Sequence, residues 1–412
     1  MTPTLADYRN ASAVVGNAPD GPARVTLRQV AQRLRRTIYE DCARQTLARR
    51  LDPERNADDE SMLWFWFNHF NVDWRKDLVG AALPSYLDGA IRPHLHGLFC
   101  DLLLAVITHP AMLVYLDNSR NVKGRINENL ARELLELHTL GVDGGYTQVD
   151  VQQTARLLTG FGVRPLKPVR WPPRIAPQVR AHDEFLFDPR RHDFGAKTVL
   201  GRRIEDQGYP EVETLVDILA QHPATARHLA RRLCLYRLGD AVPAKVEDAV
   251  AAAYLESGGR LNTTIAAVDA ARNNAAGPRG HTFKDPMKWL LGGVTLLADG
   301  HAVTDPGPLL RWLKVLGQPL FARSTPDGYN LRGAEWLSAG QLAQRFELAR
   351  GIVEALPRLL GTEVDLDIVL QSRGVRAIVD GLGDASWATI EASDSAAERL
   401  ALLLVSPEFM YA

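Results

Sequence analysis

Apolar residues return at three- and four-residue steps along most of this chain, a spacing that gathers them on one side of a helix and does not match the two-residue alternation of a strand. From Val25 to Leu51 the residues Leu27, Val30, Leu34, Ile38 and Leu47 follow that spacing among many arginines, with Thr26 placed as an N-cap. A second helix is predicted to begin near Asp58-Asp59-Glu60, whose charges suit a helix N-terminus, and to run through Met62, Leu63, Trp64, Phe65, Trp66 and Phe67 to His69. It is apolar all round, so it belongs in the interior. Further helices are expected from Pro93 to Thr108, Pro110 to Leu116, Ile126 to Leu140 and Thr147 to Gly160. Thr147 and Asp150 form a capping-box pattern, and Gly141 suits the left-handed cap that ends the preceding helix.

Residues 163–181 interrupt the period with Pro165, Pro168, Pro172, Pro173 and Pro177, and no helix tolerates that density of missing N–H groups. Phe185-Leu186-Phe187 and Lys197 to Gly201 then read as short strands that pair as a hairpin flanking His192-Asp193. Helical spacing resumes at Pro210 and lasts to the end, punctuated at Asn274–Gly280, Thr304–Gly307 and Gly317–Gly328. The predicted fold is therefore mainly α: a multi-helix globular assembly with a Pro-rich irregular insertion and at most a small β-hairpin. Its expected parts are an N-terminal tail (1–24), an N-terminal helical region (25–162), the Pro-rich loop and hairpin (163–205) and a C-terminal helical region (206–412), joined as one assembly.

With 48 Lys+Arg against 49 Asp+Glu over 412 residues, the net charge of −1 gives no overall field for nucleic acid or an anionic membrane. The most apolar run, Leu102–Ile107, is far short of the ~20 residues that span a bilayer. Met1–Asn10 shows no secretory signal, so cytoplasmic residence is the expectation. Cys42, Cys100 and Cys234 lie far apart and read as buried thiols. Nucleophile-elbow, dinucleotide and P-loop glycine motifs are absent, which sets those enzyme classes aside. His-Pro-Ala occurs twice, at 109–111 and 222–224, each time between two helices, and a shared backbone kink accounts for it.

The densest set of functional groups lies between Asn127 and Gly141. Glu128, Arg132, Glu136 and Thr139 fall on one helical face as a solvated ladder, while Asn127 and His138 point at the apolar side with Asn129 and Glu133 at its margin. A buried imidazole more often satisfies a backbone group than performs chemistry, so structural bonding weighs against a pocket of His138 and Glu133. His69 sits among aromatic residues that favour its neutral form. His192-Asp193 lies in a loop, where functional pairs and plain surface turns are equally at home. Were they to converge, His69, His138, His192 and Asp193 would suit a divalent metal, with Glu133 or Glu128 as the catalytic carboxylate. The arginines of 164–180 and Trp171 could contact an anionic partner or simply line a solvated linker.

Phe67-Asn68-His69-Phe70, Ile91-Arg92-Pro93-His94, His109-Pro110-Ala111-Met112, Asn127-Glu128-Asn129 through Gly141, Ala155 to Gly160, His192 to Lys197, His222 to Ala226 and Ser406-Pro407-Glu408-Phe409 occur in an order that resembles the bacterial family catalogued as domain of unknown function 1800, over about residues 62–410. The resemblance implies a mostly helical protein and supplies no mechanism, substrate or cofactor. Similar proteins often carry an export signal and are often encoded beside a family resembling sulfatases and alkaline phosphatases, which implies a protein partner of that fold. This chain departs from the pattern in lacking a visible signal and part of the usual N-terminal helical region, and Phe161 stands where tryptophan is expected. Two functions follow: metal-assisted chemistry in a His/Glu/Asp pocket, or a non-enzymatic scaffold or accessory subunit in which the same polar groups fix helix packing.

Overall fold

The first helix forms where the sequence suggested only a tail. Thr4 Oγ1 accepts from the Asp7 N–H at 3.3 Å and Asp7 Oδ2 accepts from the Thr4 N–H at 2.8 Å, a capping box that opens α1 (Leu5–Asn17). Tyr8 then buries against Ala31 and Ile38 of α2 (Pro22–Arg50) and against Ala81, forming a small second core. The long helix α2 begins at Pro22, so Thr26 lies inside it and bonds the Pro22 carbonyl instead of capping. The computed structural model describes residues 2–274 and 282–411, and with 61% helix against 5% strand the chain is mainly α.

Asn56 caps α3 (Ala57–His69), in which every residue from Met62 onward is buried, as its unbroken apolar surface requires. Helix α4 (Val79–Ser85) runs on through a π-turn and a 3₁₀ turn that holds Pro93, so α5 (Phe99–Thr108) starts later than the sequence suggested. The two His-Pro-Ala motifs share one geometry. His109 before α6 (Pro110–Tyr115) and His222 before the later helix Pro223–Leu238 are both extended N-caps whose Nδ1 accepts the N–H two residues on at 3.1 Å. Histidine here does what serine or aspartate usually does at a helix start. Helix α7 (Asn129–Glu136) is half the predicted length, and α8 (Gln148–Leu157) carries the expected capping box.

The insertion holds two small antiparallel sheets in place of the predicted hairpin. Strands β1 (Phe161–Val163), β2 (Arg180–His182) and β3 (Phe185–Phe187) form one in the order β1-β3-β2, and β4 (Lys197–Val199) pairs with β5 (Arg202–Ile204) in the other. The reason is local. Asp183 between β2 and β3, and Leu200-Gly201 between β4 and β5, have positive φ, which closes tight hairpins at less entropic cost than pairing 185–187 with 197–201. Phe161 fills the site predicted for tryptophan and packs on Phe185, Phe187 and Tyr209.

Helices α9 (Pro210–Ala220) and α10 (Pro223–Leu238) follow, and further helices continue to Met410. The punctuation expected at 274–280 lies, beyond Asn274, outside the described residues. One contiguous apolar core extends from Cys42 to Met410. Cys42 and Cys234 are buried thiols, with burial raising each to about 12, whereas Cys100 is only half-buried. Residues 319–330 form a strap laid over the N-terminal helices. Asn68 exchanges two hydrogen bonds with the Tyr329 backbone (2.7 and 2.8 Å), Asn71 donates to the Arg323 and Thr325 carbonyls, and Tyr115 donates to the Ser324 carbonyl.

Gly328 makes that docking feasible: its φ is +73° and a Cβ there would lie 2.1 Å from the Asn68 carbonyl oxygen. Gly328→Ala should therefore destabilise the protein by about 2–4 kcal/mol, combining left-handed strain with overpacking. Gly124 has similar φ but no neighbour within 4 Å, so Gly124→Ala should cost only about 1 kcal/mol; equal shifts of the urea midpoint would refute the steric account.

Candidate functional site

Helix α7 ends inside the protein, and its last carbonyls need donors. Leu137 N and His138 N both bond the Glu133 carbonyl, Leu140 N bonds the Leu135 carbonyl, and the Thr139 hydroxyl bonds the Leu134 carbonyl at 2.7 Å. Thr139 is thus buried, not part of the solvated ladder. Two imidazoles complete the end of the helix. His69 Nε2, from the end of α3, donates to the His138 carbonyl at 3.1 Å, and His228 Nε2, from α10, donates to the Leu137 carbonyl at 3.0 Å. A ring nitrogen facing a carbonyl must carry the proton, so in the neutral rings Nδ1 of both is an acceptor.

His138 itself differs. It is fully buried, yet neither ring nitrogen has a hydrogen-bond partner, and His69 Nδ1 is likewise unpartnered. The His138 ring stands 6.1 Å from that of His69 and 5.1 Å from that of Phe70, and His69 lies 6.0 Å from His228. Arg232, one turn beyond His228 on α10, places Nε and Nη2 in the interior without a partner. Burial, reinforced by the Arg232 charge, pushes His138 down to about 3 and His228 down to about 4, and it holds His69 well below the usual histidine range. Burial also lowers Arg232 to about 10. Glu133 is half-buried at the margin, with its carboxyl raised by burial and by Glu136. The exposed Asp327 of the strap acts electrostatically on both Glu133 and Arg232. The cluster is thus three neutral imidazoles and one cation.

The other expected site residues lie in different networks. Glu128 accepts from Arg132 at 3.0 Å and from Gln148 at 2.8 Å on the surface of α7. His192 is neither a surface turn nor a neighbour bonded to His138: its Nδ1 donates to the Thr159 carbonyl at 2.9 Å and its Nε2 faces Lys197 Nζ at 3.3 Å. Lys197, wholly buried, donates to Glu211 at 2.5 Å, and the Gln207 and Gly208 N–H groups complete the carboxylate. Burial alone would raise Glu211, but the bonds from Lys197 and the Gly208 N–H, with the His192 ring 3.5 Å away, outweigh it and hold the carboxyl at about 2. Asp193 pairs with Arg156 at 3.0 Å. The four expected metal ligands therefore divide between two networks, and among the described residues no group of three or more His, Cys, Asp or Glu could hold a metal ion.

Residues 2–411 match the family described as Protein of unknown function (DUF1800). The chain belongs to the DUF1800 family. The match starts well before residue 62, where the sequence motifs first suggested it. No curated protein and no solved structure matches the chain.

In this DUF1800 protein the residues that sequence reasoning missed are His228, Arg232, Lys197 as a buried cation, and Glu211. A signal for the first pair exists: they stand four apart on a helix, at the edge of the buried stripe of Leu229, Ala230, Leu233 and Cys234. The cations Arg164, Lys167, Arg170, Arg174 and Arg180 are exposed, but Trp171 is covered by Arg190, 4.3 Å above its ring, so that face is not free to stack on a partner. No described helix is long and apolar enough to cross a membrane.

Two outcomes test this electrostatic picture. Lys197→Met leaves Glu211 buried and unpaired, and should cost about 3–5 kcal/mol. The histidines of the cluster have folded pKa values below the ordinary ~6.5, so the unfolded chain takes up protons first and their stabilisation, complete above that pH, is lost as pH falls toward 4. Between pH 7 and 5 each imidazole should contribute a loss of about 2 kcal/mol. Urea midpoints that do not fall over this interval would contradict neutral burial.

Proposed function

We propose that His138, with His69, His228 and Arg232 around it and Glu133 at its margin, is the functional site of this DUF1800 protein, where a small polar ligand is bound and His138 exchanges a proton with it. The observation that carries the reading is His138: a fully buried imidazole with both nitrogens unpartnered, next to two imidazoles whose tautomers are set by backbone carbonyls. Buried polar groups without partners are rare, and such groups concentrate where a protein binds or reacts. In the neutral ring one nitrogen donates and the other accepts, so a ligand can accept a bond from one nitrogen, and a ligand hydroxyl or water at the other can give it a proton.

Glu133 supports the same chemistry. Its raised carboxyl is suited to receive a proton at the margin and pass it to solvent. The divalent metal expected of these residues has no part in this reading, because a second cation would be repelled by Arg232 and, among the described residues, no group of three or more His, Cys, Asp or Glu could hold it. Glu128, His192 and Asp193 are assigned structural bonding in the networks that hold them.

Scanning fluorimetry against a panel of small acids, alcohols and phosphate esters tests the reading with the wild type and His138→Gln. A binder that raises the wild-type melting temperature should lose about tenfold or more in affinity in the folded variant, the effect of one buried hydrogen bond to a polar ligand. Panel-wide silence, or binders indifferent to His138→Gln, would leave His138 a packing residue.

A further inference from the structure

The polar cluster holds a positive charge that the protein does not neutralise. Among the described residues Arg232 makes no salt bridge and no side-chain hydrogen bond, and its Nε and Nη2 are interior atoms without a partner. The acidic groups that might close on it are otherwise engaged or outlying. Asp327, the one carboxylate acting on Arg232, is exposed and already accepts from Arg323 at 3.3 Å and from the Thr325 hydroxyl. Glu133 is half-buried at the margin, its carboxyl raised by burial and by its acidic neighbours Glu136 and Asp327, and it makes no bond to Arg232. Arg232 as a whole is part-buried, but its Nε and Nη2 are interior donors without an acceptor. Donors left in that state are costly, so a site of this kind is completed by an acceptor from outside, most favourably an anion.

The three imidazoles fit that complement. They are neutral, they add donors without adding charge, and Arg232 offers the forked N–H pair that matches two oxygens of one oxyanion. A carboxylate in place of any of these histidines would have repelled such a ligand. We propose that Arg232 and His138 form an oxyanion-binding site, which takes the carboxylate or phosphoryl group of a small ligand. The inference rests on the reading of His138 as part of a functional site and adds to it the chemical class of the ligand.

The same arrangement couples binding to proton transfer. With Arg232 unpaired, its charge and burial together keep His138 a weak base. An oxyanion seated on Arg232 cancels that repulsion and adds a negative charge beside the ring, so the ligand itself makes His138 more basic. His228, His69 and Arg231 are the other groups that act on these rings, and each is on the protein before and after binding.

Inorganic phosphate and succinate, titrated separately into the full-length protein at constant ionic strength with chloride as the control, distinguish the two sources of the oxyanion. One of them should bind saturably by calorimetry and shift the imidazole ¹⁵N resonances of His138, with its titration moved upward by about one unit or more. Arg232→Gln should weaken that binding roughly tenfold or more while Arg232→Lys retains part of it, because a point charge survives but the fork does not. Should Arg232→Gln fail to fold, the His138 resonance in the wild type still decides: no movement with either anion overturns the proposal. Binding of both anions unaltered in Arg232→Gln overturns it as well. Anion binding that needs Arg232 but not His138 removes the proton-transfer reading and the shared site alone, whereas neutral ligands that need His138 but not Arg232 keep that reading and sink the oxyanion.

Discussion

A helix that stops in the interior of a protein must find donors for its terminal carbonyls, and in this chain two histidines from distant helices supply them. His69 on α3 and His228 on α10 bond the consecutive carbonyls of His138 and Leu137 at the end of α7. Three helices are thereby tied at one point, by a buried bond from His69 and a part-buried one from His228. Everything distinctive about the polar cluster follows from that junction. The two capping rings must be neutral with Nε2 protonated, the turn after α7 rotates the His138 side chain inward, and the position of α10 brings Arg232 in one turn after His228.

The His192, Lys197 and Glu211 network is the counterpart of this junction in the insertion. Strands of three residues cannot stabilise themselves, and the small sheets depend on aromatic packing around Phe161 and on this buried ion pair to hold them against α9. Here every polar atom named has a partner, and the network is fully explained by structure. The contrast with His138 is the argument for function: both networks bury histidine and a cation, but only one balances its charge. The strap at 319–330 adds a long-range element, since Asn68 and Asn71, on either side of His69, carry it across the N-terminal helices and bring Asp327 within electrostatic range of Glu133 and Arg232.

Much of the helical framework was readable in the residues. The aromatic helix announced its burial by being apolar all round, and the capping box at Thr147 and Asp150 marked the start of α8. The tail assignment failed because α1 is short and only weakly patterned, its stability coming from the Thr4 capping box and from Tyr8 packing on α2. The hairpin assignment failed because strand composition does not specify a partner, and the two-residue turns at 183–184 and 200–201 did. His69, His138 and Glu133 were identified by residue type on or beside an apolar face, but the grouping with His192 and Asp193 could not be tested by spacing, and tertiary structure sent those two to Lys197, Glu211 and Arg156 instead.

The sequence by itself determined that the chain is mainly helical, that the stretch from 163 to 181 is not, and that His69 and His138 have apolar surroundings, because periodicity, proline and hydrophobic flanks act over a few neighbouring residues. Only the tertiary structure decided that His228 and Arg232 join them, and that Glu128, His192 and Asp193 do not. Those outcomes depend on which helices cross, and on whether a buried charge meets a partner, and both are settled by contacts between residues far apart in the chain.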